Sequence, residues 1–167
     1  MKFKLLAAGF LMSALPALAD PAVGKWVTVD DEDGSHKSVV EITVNKKGEL
    51  QGTILKILKE EDKGKLCEEC PDDFKNKPVE GLTFMWGLEK EDEGEWESGH
   101  ILDPKSGKIY KSKLEVAKDG ESLEVRGYIG VSWIGRSQTW LKYEEPEAET
   151  AAQPDTEATE SSTANAE

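Results

Sequence analysis

Cys67-Glu68-Glu69-Cys70 is the chain's lone C-x-x-C and holds both of its cysteines. Such a pair serves one of three ends: a dithiol redox centre, part of a zinc site, or a disulfide. A redox pair needs a depressed thiol pKa, supplied by a helix N-terminus or by nearby cations. Here two glutamates separate the sulfurs and Pro71 follows. A structural zinc site takes four Cys or His ligands, and only His36 and His100 remain, far away in sequence. The expectation is a Cys67–Cys70 disulfide, with no metal and no cofactor.

Asp30 to Gly34 (DDEDG) has the composition of a calcium loop. Setting Gly34 at the loop glycine puts Val29 at the first ligand position and Val40 at the bidentate one, where carboxylates are needed. The segment reads as a solvated hairpin turn, with weak cation binding as the alternative. His100 and Asp103 are close enough in sequence for an acid–base pair. Asp103 fits better as the start of an Asp103-Pro104 turn, bonding its own backbone two residues on. No G-x-S-x-G elbow, H-E-x-x-H or phosphate loop occurs. No catalytic, cofactor-binding or metal-binding residue is assigned, and an enzyme using His100 ranks last among the functional readings.

These residues need a compartment and a scaffold. Residues 1–19 have the three parts of a secretory signal: Lys2 and Lys4, an apolar run from Leu5 to Leu15, and Ala17-Leu18-Ala19. The run is too short to span a bilayer as a helix. Cleavage leaves Asp20 first, in an oxidising compartment that favours the disulfide. The chain carries −13, and −15 once Lys2 and Lys4 are removed. That charge repels nucleic acid and anionic lipid headgroups. Residues 144–167 hold eight acidic residues, no basic ones, and no aromatic or large aliphatic side chain. They read as a disordered acidic tail, because they cannot offset the entropy of ordering. The folded domain is then 20–143.

That domain reads as all-β. Asp33-Gly34, Lys47-Gly48, Glu93-Gly94, Ser106-Gly107 and Asp119-Gly120 are regular turn signals. Eight strands are expected between them: 24–30, 38–45, 49–58, 82–90, 95–102, 108–117, 122–131 and 136–143. Tyr110, Ser112, Leu114 and Val116 share one face against Lys111, Lys113 and Glu115. Leu123, Val125, Gly127, Ile129 and Val131 repeat the pattern. The exception is Lys59 to Gly81, which is charged, aperiodic and carries the cysteines; short helical turns fit there. Eight antiparallel strands bury their apolar faces and lose their edges by closing into a barrel. A two-sheet β-sandwich is the alternative.

Gly24-Lys25-Trp26 resembles the G-x-W box that opens lipocalin barrels. The resemblance implies that a late arginine packs over the Trp and closes the base. Arg136 is the candidate, by cation–π stacking on Trp26. A longer resemblance covers nearly the whole core. G-K-W, C-x-x-C, LTFMWGL (82–88), GHILDPKSGKIYK (99–111) and VRGYIGVSWIGRSQTW (125–140) are similar to an exported bacterial family known only as domain of unknown function 2147. That resemblance implies a bacterial envelope setting and a compact β fold. It supplies no activity and no functional residues.

Five tryptophans remain to be placed: Trp26, Trp86, Trp96, Trp133 and Trp140. Trp26 is expected in the floor of the core. Val131, Trp133 and Ile134 form an apolar tip between the last two strands, which either caps the barrel mouth or meets a partner or membrane surface. Trp133, Ile134, Trp86 and Tyr128 are the candidate ligand or partner contacts. The leading expectation is a periplasmic, or alternatively extracellular, lipocalin-like protein that binds a small apolar or amphipathic ligand without catalysis. The alternative is an envelope protein–protein interaction module acting through the tip, the Lys59–Gly81 loop or the acidic tail.

Overall fold

The computed structural model of the chain describes residues 19–31 and 33–145. The expected signal segment, apart from Ala19, and the acidic tail beyond Glu145 lie outside the described residues. Eight strands follow one another: β1 Gly24–Val29, β2 His36–Val44, β3 Leu50–Ile57, β4 Thr83–Asp92, β5 Glu95–Asp103, β6 Lys108–Val116, β7 Ser122–Tyr128 and β8 Gly135–Lys142. Each pairs antiparallel with the next, and β8 returns to β1 through Trp26–Lys142, Val27–Leu141 and Thr28–Trp140. The sheet is a closed barrel and not a two-sheet sandwich. Closure leaves no edge strand to be covered.

The strands match expectation to within two residues at each end, except β7. The alternating pattern continues to Val131, yet β7 stops at Tyr128. Gly130 has φ +74°, a left-handed conformation that reverses the chain. Val131 N–H then donates to the Ile129 carbonyl at 3.0 Å, so both residues belong to the turn.

Alternating strand directions sort the connections between two ends. The base carries residues 20–23 and the turns 45–49, 93–94 and 117–121. The mouth carries the loops 30–35, 58–82, 104–107 and 129–134. Inward side chains near the base pack solid. Trp26, Val40, Ile42, Leu50, Met85, Leu88, Leu123 and Trp140 are all buried. Full burial of each aliphatic side chain contributes about 1.5–3 kcal/mol. The indole N–H of Trp26 donates to the Ala22 carbonyl at 3.0 Å, which satisfies its one polar atom.

Asp20 ties the chain's entry to this base. Its carboxylate accepts from the Trp96 indole N–H (3.1 Å) and the Ala22 N–H (3.0 Å), and pairs with Lys90 Nζ at 2.8 Å. Burial opposes the charge, but Lys90 and the N–H donors of Ala22, Trp96 and Gly94 outweigh it. The net effect holds the carboxyl below its ordinary value of 3.8.

The Lys59–Gly81 segment contains two short 3-10 turns, Glu60–Asp62 and Asp72–Phe74. Cross-links from Val79 N–H to the Lys65 carbonyl (3.0 Å) and from Cys67 N–H to the Lys77 carbonyl (2.8 Å) fold it on itself. Cys67 and Cys70 are joined in a disulfide. Their sulfurs lie 3.8 and 3.9 Å from the Pro104 carbonyl oxygen, so the loop rests on the β5–β6 turn. Gly107 in that turn has φ +67°, and a Cβ there would collide with the Glu69 carbonyl. Only glycine permits both the turn and the close approach.

Candidate functional site: the barrel cup

Above the packed base the barrel is hollow. A cavity of about 1160 Å³ opens at the mouth. Its lining divides by strand. Ile54 and Ile57 of β3, Phe84 of β4 and Ile101 of β5 give an apolar wall. Thr28 of β1, Ser38 of β2 and Gln138 of β8 give a polar wall opposite. Phe84 and Trp140 meet at the floor with ring centroids 6.0 Å apart.

The polar wall is internally bonded. The Thr28 and Ser38 hydroxyls are 2.7 Å apart. Gln138 accepts from the Trp140 indole N–H at 3.4 Å and donates to Asp31 at 3.3 Å. Such bonding lowers the cost of leaving polar groups in a partly dry cavity. Gly127 of β7 widens the cup. It lies opposite Arg136 in the β7–β8 register, and a Cβ there would approach nothing closer than Ile101 Cγ2 at 3.5 Å.

Ion pairs dress the rim. Lys59 Nζ is 2.9 Å from Asp30 and 3.4 Å from Asp33. The hydrogen bond from Lys59 to Asp30 holds its ammonium above the usual lysine range. Hydrogen bonds from Ser35, and then Lys59, hold the Asp33 carboxyl low. The carboxylates of Asp30 and Asp33 thus join the β1–β2 loop to the loop after β3. Among the described residues, no group of three or more His, Cys, Asp or Glu is placed to hold a metal ion.

His100 and Asp103 do not meet as an acid–base pair. Asp103 accepts from Lys105 N–H at 3.1 Å and Ser106 Oγ at 2.6 Å, which starts the β5–β6 turn. His100 is exposed and stacks on Trp86, with centroids 5.8 Å apart. Phe74 also stacks on Trp86, with centroids 5.4 Å apart. Trp86 therefore belongs to an aromatic stack that fastens the Lys59–Gly81 loop, and it is not part of the cup lining.

Tyr128 and Ile134 border the cavity, whereas Trp133 stands 77% exposed beyond it. The tip is held from below. Arg126 Nε donates to the Ser132 carbonyl at 2.6 Å, and its Nη1 donates to Ser137 Oγ at 2.8 Å.

The expected closing pair of Trp26 and Arg136 is not formed. Trp26 lies opposite Lys142, and Arg136 is six residues earlier on β8. At about 3.3 Å per residue that is roughly 20 Å up the wall, at the mouth. There Arg136 Nε pairs with Asp31 at 3.0 Å. The base is closed instead by packing and by Asp20. Sequence reasoning also missed Phe84, Gln138 and the space at Gly127 as cavity features. Gly127 was visible in the inward pattern of β7, but nothing in one sequence says that the space beside it stays empty.

The family described as uncharacterized protein conserved in bacteria (DUF2147) matches residues 24–142. The chain belongs to this family. The match spans all eight strands, so the DUF2147 domain and the barrel are one unit. No curated protein matches the chain. Among solved structures, the barrel is similar to protein HP1028 from the human pathogen Helicobacter pylori, which belongs to the lipocalin family. The TM-score is 0.66 at 19% identity, over 77% of this chain and 87% of that one. At that identity the likeness concerns the fold. This DUF2147 domain is a lipocalin-like barrel with a filled base and an open cup.

Proposed function

We propose that this protein is an exported, periplasmic binding protein whose cup takes a small apolar or amphipathic ligand without catalysing a reaction. The observation that carries the reading is the cavity of about 1160 Å³ above a solid floor, with an apolar wall facing a polar one. Ligand pockets have this concave, mostly apolar form with a few placed polar groups. The charged n-region, apolar run and A-x-A box of residues 1–19 support export. His100, the residue on which the catalytic alternative rests, is not among the residues that line the cup.

The test is native mass spectrometry of protein purified gently from its own envelope, beside a plugged variant. Gly127→Phe projects a ring into the cup from a backbone that accepts a side chain. The expected result is a co-purifying small molecule on the wild type and none on Gly127→Phe. A ligand retained by the plugged variant, or none on either protein, overturns the reading.

A second reading, an envelope protein-interaction module, is favoured by the exposed Ile129, Trp133 and Ile134 at the mouth. Its expected result is a protein captured from envelope extract by the wild type and lost with Trp133→Ala/Ile134→Ser. Identical capture by both proteins counts against it.

A further inference from the structure

The cup has a direction as well as a volume, and among the described residues two cations at its mouth, Lys105 and Arg136, keep donors that no neighbour uses. The lysines beside the polar wall are committed: Lys59 to Asp30 and Asp33, and Lys37 to Asp30 at 3.9 Å. Arg136 is different. Its Nε pairs with Asp31, and its two terminal nitrogens have no hydrogen-bond or ion-pair partner among the described residues. The residue lines the cavity, its side chain is 72% exposed, and the strand position opposite is Gly127. No side chain from that position covers the guanidinium.

A guanidinium is a planar fork whose terminal N–H groups match a carboxylate in a two-point contact. Asp31 orients the fork through Nε, and Gln138 in turn holds Asp31. A group supported in this way is already placed before a ligand arrives, so less freedom is lost on binding. Below it runs the apolar wall of Ile54, Phe84 and Ile101, ending on Trp140. The axis from floor to mouth therefore passes from apolar to charged, and Arg136 is the guanidinium at its charged end.

We propose that the ligand is an amphipathic monocarboxylate, bound tail-down, with its carboxylate on the terminal nitrogens of Arg136. This rests on the binding reading above and adds the head group and the orientation. The protein's negative charge, with Asp30, Asp31 and Asp103 at the mouth itself, opposes an anion, so recognition depends on the oriented fork of Arg136 at short range. Screening limits the distant charges to about 8 Å at physiological salt.

The test uses three probes with one tail and different heads: decanoate, decanol and decyltrimethylammonium. Each displaces the neutral fluorophore N-phenylnaphthylamine from the full mature protein. Decanoate is expected to bind about tenfold or more tightly than decanol, the strength of a charge-assisted hydrogen bond. Arg136→Gln is expected to bring the decanoate-to-decanol ratio near unity, and Arg136→Lys to restore part of it. Arg136 is mostly exposed, so these variants fold, and far-ultraviolet circular dichroism checks this. Equal binding of decanoate and decanol, preference for the cationic head, or a ratio untouched by Arg136→Gln overturns the head-group assignment and leaves the binding reading standing. If neither the fluorophore nor any probe binds, both fail.

Discussion

Asp20 Oδ2 and Lys90 Nζ lie 2.8 Å apart at the base of the barrel, and the other carboxylate oxygen accepts from the Trp96 indole. The turn at residues 20–23 is thereby fixed to the β4–β5 hairpin. The side chain of Asp20 is 7% exposed, so its charge is poorly served by water and depends on these partners. Asp20→Asn keeps the shape and removes the charge, with an expected loss of about 1–2 kcal/mol in urea unfolding at neutral pH.

The same carboxylate makes a specific contribution to acid sensitivity. Its pKa in the folded state is lowered from 3.8. The unfolded chain therefore takes up this proton first as pH falls. The stabilisation is complete above 3.8 and is lost as pH drops through the lowered folded value. Comparing wild type with Asp20→Asn, the stability gap measured at pH 7 is expected to shrink below pH 3.8. A gap that stays constant down to the acid transition would contradict the assignment.

Removing the disulfide loosens the rim more than the barrel. Cys67→Ser/Cys70→Ser is expected to cost about 2 kcal/mol from the loss of a short loop constraint. That corresponds to a Tm lower by roughly 6–10 °C. Thiol titration of the unfolded wild type before reduction should find no free sulfhydryl.

Gly107 and the disulfide loop share one contact, so their effects should not add. Gly107→Ala forces a strained φ and drives a methyl against the Glu69 carbonyl. It is expected to cost about 2–4 kcal/mol alone, and at least 0.5 kcal/mol less in the Cys67→Ser/Cys70→Ser background, where the loop can retreat. Additive losses in a double-mutant cycle would mean the loop does not bear on this turn.

Trp133 offers an optical readout of the mouth. Trp26, Trp96 and Trp140 are buried, and Trp86 is half-buried and in contact with two rings. Trp133→Phe should remove most of the acrylamide-quenchable, red-shifted emission and change unfolding stability by less than about 0.5 kcal/mol. Quenching that persists unchanged would place another tryptophan at the surface.

Strand number, strand order and most boundaries were legible, because half-buried strands alternate and glycine must mark the tight turns. Tyr110 to Val116 illustrates the first point and Asp119-Gly120 the second. The end of β7 was misread because Ile129 and Val131 continue the alternation into a turn that exposes them. The pairing of Trp26 with Arg136 was open to correction from strand direction alone. In an antiparallel barrel the start of β8 lies beside the end of β1, and Trp26 is near the start of β1. Asp20 escaped notice because it was weighed as a new terminus and not as a partner of Trp96. The cup was beyond the sequence for a different reason. Whether the barrel fills depends on side-chain volumes summed across distant strands, and no local pattern reports that sum.

The filled base has a consequence for traffic. A barrel plugged by Trp26, Leu50, Leu88 and Trp140 offers no through-route. Whatever enters the cup leaves by the way it came. On the proposed binding function, uptake and delivery would occur in succession at that one mouth, so a donor and an acceptor would have to take turns there.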